Sequence, residues 1–137
     1  MQQRLQTTKE RSRLMGQVKG RRNRTTELRL VEILRRNAIH GWRRHAPLPG
    51  TPDFVFRDAR LAVFVDGCFW HCCPWCYTAP KRNAAFWFAK AAANRRRDKR
   101  NNKDLRSRGW RVLRIWEHEL DDQKKVVRRI RRALISI

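Results

Sequence analysis

Acidic residues are scarce in this chain: 12 Asp and Glu stand against 34 Lys and Arg, for a formal net charge of +22. The imbalance says nothing about fold, but it makes a polyanion the natural counterion and nucleic acid the first partner to expect. Long apolar runs are missing too, and no stretch approaches the ~20 residues that a membrane span needs. The N-terminus is polar and basic and lacks the apolar segment of a secretory signal, so a cytoplasmic location is expected. Cysteine is absent except for Cys68, Cys72, Cys73 and Cys76. A disulfide framework would spread its cysteines to close long loops, so these thiols are expected to be reduced. No internal repeat or low-complexity segment is present. With 41% hydrophobic residues and 6 tryptophans, the chain is not a disordered basic tail. At 137 residues it has room for one domain with a modest core.

Residues 1–24 read as a basic arm, either a disordered tail or a segment that orders on DNA, and residues 25–137 as the single domain. Thr25 and Thr26 can cap a helix running to about Ala38, with Leu30, Ile33 and Leu34 at helical spacing. Residues 42–45 read as a short strand, and Pro47, Pro49, Gly50 and Pro52 force a turn. Residues 54–56 and 61–65 then form a β-hairpin, whose second strand is apolar on both faces and therefore central. After a cysteine-rich loop come a basic helix over 86–106 ended by Gly109, a central strand over 110–116, and an amphipathic helix over 119–134. The order α-β-β-β-α-β-α is that of an α/β fold.

Cys68, Cys73 and Cys76 place three thiolates in one loop, and tetrahedral zinc needs four nitrogen or sulfur ligands. His118, just after the last strand, is the natural fourth. Cys72 could replace Cys73. With four protein ligands no position stays open, so the zinc would be structural and would staple a small sheet.

Two carboxylates flank the hairpin. Pro52-Asp53 introduces it and Asp66 ends it, so both acids lie at neighbouring strand ends where they can share a divalent cation. Glu27 on the first helix can reach the same place through water. Such an ion activates water and stabilises charge on a scissile phosphate. His71 follows Asp66 by five residues and can serve as the base, or alternatively as a zinc ligand.

Three segments carry a resemblance: Leu48-Pro49-Gly50-Thr51-Pro52-Asp53-Phe54-Val55, Val63-Phe64-Val65-Asp66-Gly67-Cys68-Phe69-Trp70-His71, and Gly109-Trp110-Arg111-Val112-Leu113-Arg114-Ile115-Trp116-Glu117. Their order and spacing resemble the very short patch repair (Vsr) endonucleases of the PD-(D/E)XK superfamily. The resemblance implies a restriction-endonuclease-like core: a mixed central sheet flanked by helices, with a structural zinc site. It implies Mg²⁺-dependent nicking 5′ of the thymine in T:G mismatches left by 5-methylcytosine deamination. It makes Asp53 the metal carboxylate, with the Val65 backbone carbonyl beside it, His71 the base and Glu27 the first-helix acid. Cys68, Cys73, Cys76 and His118 match the zinc ligands. Two departures stand out. Asp66 occupies a position that can be histidine in the family, leaving its role open among metal, phosphate or neither. The last zinc ligand is histidine in place of cysteine.

Phe69 and Trp70 can wedge into a base stack, which is easiest to open at a mismatch. The resemblance adds Trp87 as a third intercalating aromatic, with Asn94 and Asp98 as polar positions on the long helix and Met15 of the arm among the DNA contacts. Trp110 and Trp116 are expected in the core. The partner implied is double-stranded DNA bearing a T:G mismatch, with mismatch repair proteins beside it. The protein is expected to be monomeric, away from membranes and close to the bacterial nucleoid. Two other readings share the charge and the cysteines: a restriction or defence nuclease on the same scaffold, and a non-catalytic zinc-bearing nucleic-acid binder.

Overall fold

Leu30, Ile33 and Leu34 turn one face of helix α1, residues 25–36, into the core, while Arg29, Glu32, Arg35 and Arg36 face solvent. The computed structural model describes residues 25–68 and 81–135. After α1 come strands β1 (Trp42–Arg44), β2 (Phe54–Phe56) and β3 (Leu61–Asp66). Helix α2 (Ala84–Ser107) then leads to strand β4 (Arg111–Trp116), a 3₁₀ turn (Glu117–Asp121) and helix α3 (Gln123–Ile135). The expected α-β-β-β-α-β-α order holds.

The sheet order is β1-β2-β3-β4, antiparallel for the first two pairings and parallel between β3 and β4. A mixed sheet follows directly from two tight connections and one helical crossover. Side chains alternate between two cores, as the period of a strand requires. Phe54, Phe56, Leu61, Val63 and Ile115 pack on one face with Leu30, Ile33 and Leu34 of α1 and Val126, Val127 and Ile130 of α3. Val55, Ala62 and Phe64 pack on the other with Leu105 of α2. β3 is central, as its apolar faces indicated.

β4 departs from expectation. Among the described strands it lies at the sheet edge, paired only with β3, and Trp110 and Trp116 are half-buried. Its apolar residues cover the helices above and below it, not a further strand. The last helix also differs from the single element expected over 119–134. Glu119 lies in the 3₁₀ turn, where its carboxylate accepts the Trp116 N–H at 3.0 Å and Arg129 Nη1 at 2.6 Å. Asp122 then caps α3, its Oδ1 accepting the Lys125 N–H. A side chain that competes for backbone donors ends one helix and begins the next.

Two helices close alike. Trp110 N–H donates to Leu105 O and Gly109 N–H to Arg106 O, with Gly109 at φ +85°. Ile39 N–H donates to Leu34 O and Ala38 N–H to Arg35 O, with Ala38 at φ +52°. Both are Schellman closures, but at the end of α1 an alanine holds the left-handed position that favours glycine. α1 therefore stops short of Ala38.

Candidate active site

Asp53 sits where the hairpin begins, and the sheet holds it from both sides. Its backbone carbonyl accepts the His45 N–H at 3.4 Å, from the β1 side. Its side-chain Oδ2 accepts the Val65 N–H at 2.7 Å, from the β3 side. The carboxylate thus continues the ladder beyond the Phe54–Val63 pair and fixes its own direction. The preceding loop is seated by Gly50, at φ +78°, where a Cβ would fall 2.8 Å from the Asn101 side-chain nitrogen.

Glu27, in the first turns of α1, points to the same place. Its Oε2 accepts Arg44 Nη2 and His45 Nε2, each at 2.7 Å, and its carboxyl lies close enough to that of Asp53 for each to shift the other's ionisation. Burial, then the neighbouring Glu27 and the charge of Asp66, push the Asp53 carboxyl up to about 7 against the opposing Val65 N–H. Burial also pushes Glu27 upward, but the Arg44 guanidinium, the neighbouring Asp53 and His45 together hold it below the ordinary glutamate value. Two acids this close cannot both ionise freely, so without a cation they share a proton near neutral pH.

Asp66 ends β3 on the α2 side and is 5% exposed. Arg114 Nη1 donates to both of its oxygens, at 2.9 and 3.1 Å, and lies 3.7 Å from Asp98 Oδ1. Arg114 Nε donates to Asn102 Oδ1 at 2.9 Å, and the guanidinium stacks over the Phe64 ring at 4.1 Å. The structure therefore joins Asp66 and Asp98, two sequence candidates, through one arginine. Arg44, His45 and Arg114 escaped the sequence reading, which took them as strand residues. The signal for Arg114 was a charged side chain interrupting the apolar run Val112-Leu113-Arg114-Ile115-Trp116.

Cys68 Sγ and His118 Nδ1 lie 3.3 Å apart, although 50 residues separate them in sequence. Among the described residues no group of three or more His, Cys, Asp or Glu is arranged to hold a metal. Cys72, Cys73, Cys76, His71, Phe69, Trp70 and Met15 lie outside the described residues. At the start of α2, Trp87 is half-buried and meets Phe86 edge to face at 5.2 Å between ring centroids. Phe86 and Phe88 are 61% and 71% exposed, bare aromatics that the sequence reading did not single out. Asn94 is buried and accepts Arg97 Nη2 at 3.1 Å. Arg95, Arg96, Arg97, Lys99, Arg100, Lys103, Arg106 and Arg108 are all exposed along or just past α2.

Known proteins are similar to this chain in sequence. Residues 4–77 match the family model described as DNA mismatch endonuclease Vsr. The type II nicking enzyme V.XorIIP of Xanthomonas oryzae is 40% identical over 124 residues, covering 88% of this chain and 89% of that protein. The DNA mismatch endonuclease Vsr of Escherichia coli is 36% identical over 108 residues, 77% of this chain and 68% of that one. The type II nicking enzyme V.NaeI of Lentzea aerocolonigenes is 50% identical over 68 residues, and the matched part of the chain spans only 41% of that protein's length. The carboxylate pair at the head of the hairpin thus lies in a chain that belongs to the Vsr DNA mismatch endonuclease family, and the protein is a DNA endonuclease.

Proposed function

We propose that this endonuclease nicks one strand of duplex DNA 5′ of the thymine in a T:G mismatch. The observation that carries the reading is the Glu27–Asp53 pair, two neighbouring carboxyls held at a strand end by the Val65 N–H, Arg44 and His45. The donor set fits magnesium, which takes one or two protein carboxylates and fills its remaining positions with water and substrate phosphate. Asp53 and the Val65 backbone carbonyl would hold the ion, with Glu27 contacting its water. When bound, it would polarise the phosphate and lower the pKa of the attacking water. His71 accepts the water's proton. Arg114 neutralises Asp66 and so limits the negative charge that an incoming phosphate meets.

A structural zinc is proposed at Cys68, Cys73, Cys76 and His118, with Cys72 as the substitute for Cys73. The 3.3 Å approach of Cys68 to His118 supports it, since ligands of one tetrahedral ion must converge in this way. Phe69, Trp70 and Trp87 are proposed to enter the base stack, with Asn94, Asp98 and Met15 at the DNA, in a monomer that works beside mismatch repair proteins. Two relatives are named type II nicking enzymes, and a second reading is a related DNA nuclease of restriction or defence type. A single assay tests both: T:G and matched duplexes in several flanking sequences, incubated with Mg²⁺ or with EDTA. Mg²⁺-dependent nicking of the T:G duplex alone is expected. Equal cutting of matched DNA overturns the mismatch reading, and undiminished cutting in EDTA overturns the metal.

A further inference from the structure

His45 bridges both members of the carboxylate pair. Its backbone N–H donates to Asp53 O at 3.4 Å, and its side-chain Nε2 lies 2.7 Å from Glu27 Oε2. It does so from φ +52°, a left-handed conformation that non-glycine residues adopt at a cost. Left-handed backbone turns the chain at the end of β1, and from there the imidazole, like the Arg44 guanidinium before it, meets Glu27 of α1. Glu27 is nearly covered, its side chain 12% exposed, while the His45 ring is 54% exposed on the solvent side of it. Glu27 Oε2 is shared by the Arg44 guanidinium and the His45 ring, and His45 also reaches Asp53 through its backbone N–H.

We infer that His45 is a positioning residue for the nuclease site: its ring fixes the Glu27 carboxylate and its backbone fixes Asp53. The inference rests on the proposed metal-binding role of that pair. Removing a hydrogen-bond partner of a metal-site carboxylate weakens metal affinity or activity by roughly tenfold to a hundredfold. A role confined to the backbone turn predicts something different, because glycine adopts φ +52° freely and would serve as well or better.

Two substitutions separate these roles, with Asp53→Asn run in parallel. His45→Gly keeps the turn and removes the ring; His45→Gln restores a donor at similar reach on a less favourable backbone. Melting of each protein is measured in EDTA and across an Mg²⁺ titration, alongside nicking of a T:G duplex. The expected result is a His45→Gly protein that melts in EDTA at or above the wild-type temperature. It nonetheless needs roughly tenfold or more Mg²⁺ for the same melting shift and half-maximal nicking. His45→Gln should melt lower in EDTA yet recover most of the Mg²⁺ response. The reverse order, with His45→Gly matching wild type in Mg²⁺ response and nicking and His45→Gln impaired, overturns the inference while Asp53→Asn still abolishes cutting. A wild-type protein whose melting ignores Mg²⁺, or an Asp53→Asn variant that cuts normally, sinks the metal reading and the inference with it.

Discussion

Asp53→Asn should make the metal-free protein more stable at neutral and alkaline pH while destroying its nuclease activity. The carboxyl ionises near 7 in the folded protein against an ordinary 3.8. Between those values the folded state binds more protons than the unfolded one, so metal-free stability falls as pH rises through the window and levels off above it. A shift of about three units corresponds to about 4 kcal/mol of unfavourable ionisation at most. Glu27 is shifted the opposite way, so its contribution is lost only as pH falls below the glutamate range. Asparagine keeps an oxygen for the Val65 N–H and offers Glu27 a donor in place of a second acid. A gain of about 2–4 kcal/mol over wild type is therefore expected above pH 7.5, shrinking toward zero near pH 4. For a domain of this size that is a rise in melting temperature of roughly 6–15 °C. Thermal melts in EDTA from pH 4 to 9 read it directly, and added Mg²⁺ should stabilise wild type but not the variant. An offset that stays constant with pH, or a variant less stable than wild type at pH 8, would refute the argument that the two acids share one proton.

Arg114→Gln strands Asp66 and Asp98 in a poorly hydrated space, and loss of one partner of a buried pair costs about 3–5 kcal/mol. Urea unfolding should show a loss near the lower end, since the arginine side chain is 19% exposed, and Asp66→Asn in the same chain should recover much of it. Ala38→Gly relieves a left-handed alanine at φ +52°, so a gain of about 0.5–1 kcal/mol is expected in the same measurement; no gain would mean that the α1 terminus relaxes at no cost. Elemental analysis should find one zinc per chain in wild type and much less in His118→Ala, with the variant melting well below wild type. Full zinc content in that variant would remove His118 from the ligand set.

Much of the fold was legible because its signals are local. Leu30, Ile33 and Leu34 at helical spacing, the doubly apolar run 61–65 and the Pro-Gly turn before Asp53 each specify their element from a few adjacent residues. Asp53 and Glu27 were legible as acids amid a strongly basic chain. The sequence reading missed partnerships. Arg44 and His45 looked like the end of a strand, and Arg114 like one residue within another, because their significance lies in contacts with residues 17, 18 and 48 positions away. The break before α3 went unseen for the same reason, since it depends on Glu119 turning back to Trp116 and across to Arg129.

By itself the sequence determined the strongly basic character, the α/β order, the central place of β3 and the acids of the candidate site, because charge, periodicity and turn chemistry act over a few residues. Only the tertiary structure decided that Glu27 and Asp53 neighbour each other, that Arg114 neutralises Asp66 and that His45 reaches both acids of the pair. Those facts arise where α1, the β1 terminus and the ends of β3 and β4 meet, and in a buried space the energy of a charge depends on its neighbours in three dimensions.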